Sequence, residues 1–192
     1  MTEYYTKGLV LERHLRGEFD ESITIYTKGL GKISSFVKST KKPESKLSPH
    51  LNVGKIARVR IIKTNNYKIV DAISEGGALN PESLKFIEFI RSMTPYEEPD
   101  PHLWHAIEYV VTNIFNRSFM PLEKVYPPKF FEEKLRRVNR RFLEIFGFGA
   151  KFARCNECEN PKVSYFHPPM LVFLCSDSLK KLSINEEEVV QI

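Results

Sequence analysis

The sequence predicts an α+β protein, with a five-stranded barrel at the N-terminus followed by a helical domain. Three observations support this fold class. Short β-branched segments alternate with turn residues up to residue 77. Beyond that point, apolar residues recur every three or four positions. Three cysteines then cluster in a segment interrupted by prolines. We therefore predict two domains, residues 1–77 and residues 78–192.

Five segments in the first domain have the composition of β-strands. Turn residues separate them, among them Gly17, Gly29 and the pair Asn65-Asn66. Five short antiparallel strands in about 75 residues suit a small closed barrel, for which the OB-fold is the leading candidate and an SH3-like barrel the competitor. The predicted strands contain residues 8–11, 23–26, 33–37, 56–62 and 67–73.

Three amphipathic helices follow the predicted strands. Asn80 and Pro81 supply a cap and a first-turn proline for the first helix, and Asp100 begins the second. The third helix runs from about Pro128 to Phe146, and Gly147 fits its C-cap. The residues expected to face inward are Leu84, Ile87, Ile90 and Met93, then Leu103, Trp104, Ile107, Val111, Ile114 and Phe115, and finally Phe131, Leu135, Val138, Phe142 and Ile145.

The overall charge favours an acidic partner. Lys and Arg number 29 against 24 Asp and Glu, and acids concentrate late in the chain, as in 186–188. A basic balance attracts polyanions such as nucleic acid at long range. No segment approaches the roughly 18 apolar residues of a membrane span, and the polar start lacks the apolar region of a signal peptide. We therefore expect a cytoplasmic protein without membrane contact.

The most informative polar segment is Lys38–Lys46, which places four lysines in the connection between the third and fourth strands. Such a loop could neutralise phosphates and follow a single strand, although a solvated surface loop is the alternative. Basic residues also alternate with apolar ones on the fourth strand, where they could add charge to one barrel face, and the third helix offers a secondary basic surface. The candidate phosphate contacts are Lys38, Lys41, Lys42, Lys46, Arg58, Arg60, Lys63, Arg137 and Arg141.

Three strand aromatics near these charges, Tyr26, Phe36 and Tyr67, could stack bases, although aromatic residues on strands more often fill cores. The sequence contains no phosphate-cradling glycine loop, no nucleophile elbow and no paired-histidine helix motif. It therefore predicts a protein that is not an enzyme. Zinc-dependent hydrolysis at the cysteines is a remote alternative.

Cys155 and Cys158 have the two-residue spacing of a zinc knuckle, and Cys175 lies at a distance typical of a second ligand pair. A complete site needs a fourth ligand near position 178, where Ser178 is a poor zinc ligand. The sequence is thus compatible with a zinc site completed by another side chain, or with a degenerate site whose thiols are buried or idle. The candidates for the missing ligand are Asp177 and His167.

Several short motifs occur in order along the chain: Lys7-Gly8-Leu9-Val10-Leu11, Gly17-Glu18 with Asp20, Tyr26-Thr27 with Gly31-Lys32, the lysine loop, and Gly147-Phe148-Gly149 leading to the three cysteines. In this order and spacing the sequence resembles the RecO family of recombination mediators. The resemblance implies an N-terminal OB-fold, a helical domain and a zinc-finger-like insertion, here degenerate, at about residues 150–180. Ser178 stands where the family's last cysteine is expected. The chain is also shorter than the family's usual length, so we expect part of the helical region to be absent.

The resemblance further implies a DNA repair protein of the RecF recombination pathway. Such a protein binds single- and double-stranded DNA, anneals complementary strands and helps to load RecA onto DNA coated with single-stranded DNA-binding protein (SSB). Its implied partners are RecR and the C-terminal tail of SSB, and its implied location is the nucleoid. The residues by themselves also leave open an RNA-binding barrel that acts in translation.

Overall fold

The computed structural model describes residues 1–77, 81–115 and 128–192, without the side chains of residues 82 and 128–131. The chain divides into two compact units, Met1–Phe119 and Met120–Ile192. The first unit thus extends past residue 77. Strands do give way to helices at that point, but the division into domains of residues 1–77 and 78–192 stays a prediction. Of the described helices, none has the length and apolar character needed to cross a membrane.

All five predicted strands are present and form a closed barrel in the order β1-β2-β3-β5-β4. Neighbouring strands are antiparallel. The exception is the short parallel pairing of β3 with β5 that closes the barrel at Ser35 and Phe36. The long first strand pairs with β4 through its first half and with β2 through its second half. The strands are β1 Thr2–Leu15, β2 Glu21–Thr27, β3 Gly31–Val37, β4 Lys55–Lys63 and β5 Tyr67–Gly77.

The barrel core follows from the alternation of side chains along each strand. On β4, Val59 and Ile61 are buried whereas Arg58 and Arg60 are exposed, because successive residues of a strand point to opposite faces. Apolar residues from all five strands, together with Leu51 of the β3–β4 connection, form one buried cluster. The predicted separation of charged and core positions on β4 is therefore confirmed.

Two helices complete the described part of the first unit: α1, Pro81–Met93, and α2, Pro101–Val110, which continues into a π-helical turn over Val111–Phe115. Asp100 caps α2 as predicted, since its Oδ1 accepts the backbone N–H groups of His102 at 2.8 Å and of Leu103 at 3.1 Å. The predicted cap at Asn80 lies outside the described residues.

The apolar stripe of α2 is confirmed, because all six predicted residues from Leu103 to Phe115 are buried. The stripe predicted for α1 is partly wrong. Leu84 is 44% exposed, whereas Phe86 and Phe89 are buried beside the predicted Ile87 and Ile90. The two phenylalanines carry larger apolar surfaces than leucine, so the helix is rotated to bury them.

The segment between α1 and α2 covers one end of the outer face of β2 and β3. Lys32 Nζ donates a hydrogen bond to the carbonyl oxygen of Arg91 at 2.8 Å, and the Asp100 N–H donates to the Tyr26 hydroxyl at 3.2 Å. The Glu97 N–H also donates to the Lys32 carbonyl oxygen at 2.9 Å. These contacts therefore cover the end of this face near Tyr26 and Lys32. They do not cover the end near the β1–β2 loop.

The second unit contains α3, Pro128–Ile145, and a three-stranded sheet in the order β7-β6-β8. On α3, Phe142 is buried as predicted and Leu135, Val138 and Ile145 are half-buried, while the side chain of Phe131 lies outside the described residues. The predicted C-cap Gly147 has a positive φ of 86°. The remaining elements are β6 Tyr165–His167, β7 Val172–Leu174, α4 Ser176–Lys181 and β8 Val190–Gln191.

Gly31→Ala should destabilise the first unit by about 3 kcal/mol, because it combines backbone strain with overpacking. Gly31 has a φ of +67°, and an added Cβ would lie 2.4 Å from the backbone carbonyl of Glu98. Gly17→Ala is the matched control, since Gly17 has a φ of +90° with nothing within 4 Å of an added Cβ. Urea unfolding should show a clearly larger loss for Gly31→Ala, and equal losses would contradict the close packing of Gly31 against Glu98.

Candidate nucleic-acid interface and metal centre

The lysine-rich segment after β3 is fixed at its start to the loop between β1 and β2. The backbone N–H of Ser39 donates to Asp20 Oδ1 at 2.8 Å, and that of Lys41 donates to the Phe19 carbonyl oxygen at 3.1 Å. Residues 16–20 and 38–46 therefore form one continuous surface, which we call the loop surface.

A buried carboxylate lies beneath the loop surface. Glu21 is 2% exposed and forms an ion pair with Arg13, and Lys41 Nζ lies 3.4 Å from Glu21 Oε1. Burial by itself would raise the pKa of Glu21, but hydrogen bonding and the charge of Arg13 outweigh burial, so that the pKa is lowered. Glu21 therefore stays ionised and holds Lys41 close to the barrel.

The other lysines of the loop surface, Lys38, Lys42 and Lys46, are exposed. Lys42 Nζ lies over the ring of Phe19 at 5.8 Å from its centroid, and Phe19 is itself 41% exposed. An exposed aromatic ring beside exposed ammonium groups is a combination with which proteins bind single strands, since bases stack on the ring while the cations contact phosphates.

The three cations predicted on β4 have different surroundings, because each of them contacts a carboxylate. Arg58 Nε lies 2.7 Å from Glu75 Oε1, Arg60 pairs with Glu3, and Lys63 Nζ lies 2.9 Å from Glu97 Oε2. Hydrogen bonding to Tyr67 and then to Glu97 raises the pKa of Lys63. The pKa of Glu75 is lowered mainly by a hydrogen bond from Lys7. A phosphate would have to replace these carboxylates, so β4 is a weaker candidate interface than the loop surface.

The loop and strand cations also lie at different ends of the first strand. Arg60 is opposite Tyr5 and Arg58 is opposite Lys7, both in the first half of β1. The loop surface instead adjoins the residues that follow Leu15, the last residue of β1. By the other route around the barrel the groups are nearer, because Phe36 at the end of β3 is opposite Lys68, and Lys68 is opposite Ile62 of β4. The convergence of the two predicted groups on one face stays a prediction.

The aromatic residues singled out from the sequence are poorly placed for stacking. Tyr26 and Tyr67 are buried and Phe36 is half-buried. The exposed aromatic residues near the predicted cations are Phe19 and Tyr5, the latter 75% exposed. Sequence reasoning missed Phe19, although its position between two acids in a turn offered a signal: such a ring has no core to enter.

The predicted basic residues of α3 are exposed and paired within the helix. Arg137 pairs with Glu133, and Arg141 Nη1 lies 2.8 Å from Glu144 Oε2. Such surface pairs contribute little to stability and exchange readily with solvent. A DNA-binding role of α3 stays a prediction.

In the second unit, the sulfurs of Cys155, Cys158 and Cys175 lie within 4.8 Å of one another. The Cys158 and Cys175 Sγ atoms are 3.6 Å apart, and Ser178 Oγ lies 3.2, 3.3 and 3.5 Å from the sulfurs of Cys155, Cys175 and Cys158. Tetrahedral zinc requires sulfur–sulfur edges of about 3.8 Å and sulfur–oxygen edges of about 3.5 Å, given the usual bond lengths. The three sulfurs could therefore hold a metal ion, and the Ser178 hydroxyl lies within 3.5 Å of each of them.

Neither of the side chains predicted as a fourth ligand lies with the three sulfurs in the described structure. Among the described residues, neither Asp177 nor His167 belongs to the cluster of possible metal ligands. Asp177 is exposed in the first turn of α4, and His167 Nδ1 accepts the N–H of Met170 at 3.3 Å. The first turn of α4 points Ser178 at the sulfurs, because Cys175 caps this helix and its Sγ accepts the Ser178 N–H.

The cluster also changes the acidity of two thiols. Burial opposes ionisation of Cys155, but hydrogen bonds from the Ser178 hydroxyl and from nearby backbone N–H groups outweigh burial and lower its pKa to about 6. For Cys158, hydrogen bonds from Ser178 and Asn160 favour ionisation, yet the neighbouring sulfurs and burial together raise its pKa. One negative charge is therefore favoured on the cluster, and a second is opposed without a cation.

Comparison with known proteins finds similarity to one family model and to individual proteins. Residues 1–75 match the family model described as "Recombination protein O N terminal". Over 187 aligned residues the chain is 23% identical to the DNA repair protein RecO of Dehalococcoides mccartyi strain 195, with 91% of this chain and 70% of the relative covered. It is likewise 23% identical to the DNA repair protein RecO of strain CBDB1, with 90% and 69% covered.

Proposed function

Since this chain belongs to the RecO family of DNA repair proteins, we propose that it is a non-enzymatic mediator of recombinational repair. In this role it binds single- and double-stranded DNA, anneals complementary strands and helps to load RecA onto SSB-coated DNA. The observation that carries the proposal is the loop surface, where Lys42 lies over the exposed ring of Phe19 and further exposed lysines occupy the same segment.

Annealing requires no bond chemistry, only that two polyanions be held together. Lys38, Lys42 and Lys46 are free to neutralise backbone phosphates and to release their counterions, which offsets the repulsion between strands. We assign the barrel to the OB-fold, which binds oligonucleotides on the face of its second and third strands and on the loops between strands 1 and 2 and between strands 4 and 5. Here residues 91–100 cover one end of that face, so the loop surface is the end left for DNA.

We further propose that the cluster in the second unit binds Zn²⁺ through Cys155, Cys158 and Cys175, with the Ser178 hydroxyl as a weak fourth ligand. The ion would supply a positive charge that permits all three thiols to ionise, and it would tie the turn at residues 156–158 to the start of α4. Its role is structural. RecR and the SSB tail are proposed as partners on the basis of family membership, without a surface assigned to them.

The proposal is tested with fluorescently labelled complementary oligonucleotides and the full chain. The chain should accelerate annealing, and its affinity for single-stranded DNA should fall with salt at a log–log slope of about −0.7 for each phosphate neutralised. Failure to anneal, or binding that is insensitive to salt, would overturn the proposal. A strong preference for structured RNA in competition would instead favour the RNA-binding alternative.

Phe19→Ala should weaken binding to single-stranded DNA by roughly tenfold, because the loss of one base–aromatic stack costs about 1–3 kcal/mol. Tyr5→Ala is the matched control, since Tyr5 is an exposed aromatic at the other end of β1. Fluorescence anisotropy at fixed salt measures both variants. Equal losses for the two, or a larger loss for Tyr5→Ala, would contradict stacking at the loop surface.

A further inference from the structure

The three thiols of the cluster differ in their access to solvent. Cys155 and Cys175 are buried, whereas Cys158 is exposed in the turn of residues 156–158. The Cys155 thiol is enclosed, since it donates a hydrogen bond to Ser178 Oγ at 3.2 Å and accepts one from the Cys175 N–H at 3.4 Å. A dissolved oxidant therefore reaches Cys158 first.

Cys175 is well placed to react next. Its sulfur lies 3.6 Å from that of Cys158, and a disulfide requires an approach to about 2.05 Å. The movement falls on an exposed turn, whose start is held by the hydrogen bond from the Asn156 N–H to the Phe173 carbonyl oxygen at 2.9 Å. Cys158 lies at the end of this turn, outside the strands, and the Glu159 N–H closes the turn by donating to the Cys155 carbonyl oxygen at 2.8 Å.

We propose that the cluster is a site of reversible oxidation, where a hydroperoxide converts Cys158 and Cys175 into a disulfide and so prevents metal binding. In the first step the Cys158 sulfur attacks one oxygen of hydrogen peroxide, and the O–O bond breaks. The other oxygen leaves as water, and Cys158 becomes a sulfenic acid. In the second step the Cys175 thiol attacks that sulfur, the S–S bond forms, and the sulfenic oxygen leaves as a second water.

Two electrons thus pass from the pair of thiols to the peroxide, and a dithiol reductant reverses the change. A sulfur engaged in a disulfide is no longer a thiolate ligand, so oxidation and metal binding exclude each other. Ser178 weakens the metal binding that competes with oxidation. A serine at the fourth corner leaves the ion with three thiolate ligands, one fewer than in a four-cysteine site. The loss of metal binding rests on the zinc site proposed above, whereas the oxidation itself depends neither on that site nor on DNA binding.

The test begins with the full chain stripped of metal by a chelator and treated with a small excess of hydrogen peroxide. Free thiols are then blocked with N-ethylmaleimide, and the chain is cleaved after glutamate. Glu157 lies between Cys155 and Cys158, so this cleavage separates the two cysteines. Mass spectrometry should find Cys158 linked to Cys175 and Cys155 blocked by maleimide, with the link removed by dithiothreitol.

A link that contains Cys155, links only between two copies of the chain, or over-oxidised Cys158 without any link would overturn the proposal.

Two variants test the role assigned to each cysteine. Cys155→Ser should retain the link, and Cys158→Ser, a change at an exposed position, should lose it while keeping the circular dichroism spectrum. Preloading with Zn²⁺ should slow formation of the link at least about tenfold, because bound thiolates are shielded from oxidant. An unchanged rate would overturn the mutual exclusion.

Discussion

Replacing Lys38, Lys41 and Lys42 together by alanine should weaken binding to single-stranded DNA by one to two orders of magnitude and slow annealing in proportion. All three lysines are exposed, and Lys41 also lies beside the buried carboxylate of Glu21. If two or three phosphate contacts are lost, the log–log salt slope should flatten by about 0.7 for each one. Anisotropy titrations at several salt concentrations measure the affinity and the slope.

A triple variant at Lys162, Lys180 and Lys181 provides the matched control. These lysines are also exposed and give the same change in net charge, but they lie in the second unit. The control variant should keep its affinity for single-stranded DNA within about threefold of that of the unchanged chain. Long-range attraction falls equally in both triple variants, but only the loop variant loses direct phosphate contacts. If the two variants lose affinity equally, only overall charge matters and the loop surface has no special role.

Ser178→Cys should raise the affinity for Zn²⁺ by at least about two orders of magnitude, because a thiolate replaces a neutral hydroxyl at the fourth corner. The serine oxygen already lies within 3.5 Å of all three sulfurs, so the new thiol needs little rearrangement. Competition with a chromogenic chelator measures the affinity. The melting temperature of the variant should also respond more strongly to added zinc.

Ser176→Cys is the control for this substitution, because it adds an exposed thiol to the same short helix. It should bind zinc no more tightly than the unchanged chain. If Ser178→Cys gains no affinity over this control, the fourth corner is not occupied by residue 178, and the assignment of the cluster as a tetrahedral site is wrong.

Much of the fold could be predicted because the barrel follows from local patterns. Strand composition and turn residues located all five strands, and the alternation on β4 placed Arg58 and Arg60 outside and Val59 inside. Parts of the helices could not be placed in this way. Leu84 lies on a helical stripe with Ile87, yet the larger phenylalanines of α1 decide its rotation, and their packing depends on distant residues.

The sequence predicted which residues could form the candidate sites, but not how those residues are arranged. The sequence shows which residues are basic, but not that Glu3 and Glu75 neutralise the arginines of β4 across the sheet. These carboxylates lie far from the arginines in sequence, and only the strand register brings them together. For the cysteines, spacing indicated a fourth position near 178, but only the cap of α4 shows that Ser178 itself lies there.

The most direct test of the account is to map where a short thymidine oligonucleotide binds, using amide chemical shifts of the isotopically labelled chain. If DNA binds at the loop surface, the largest shifts should fall on residues 16–20 and 38–46, with small shifts on the outer face of β4 and in the second unit. Shifts concentrated around Tyr5 and Arg60, or on α3, with the loop surface unchanged, would contradict it.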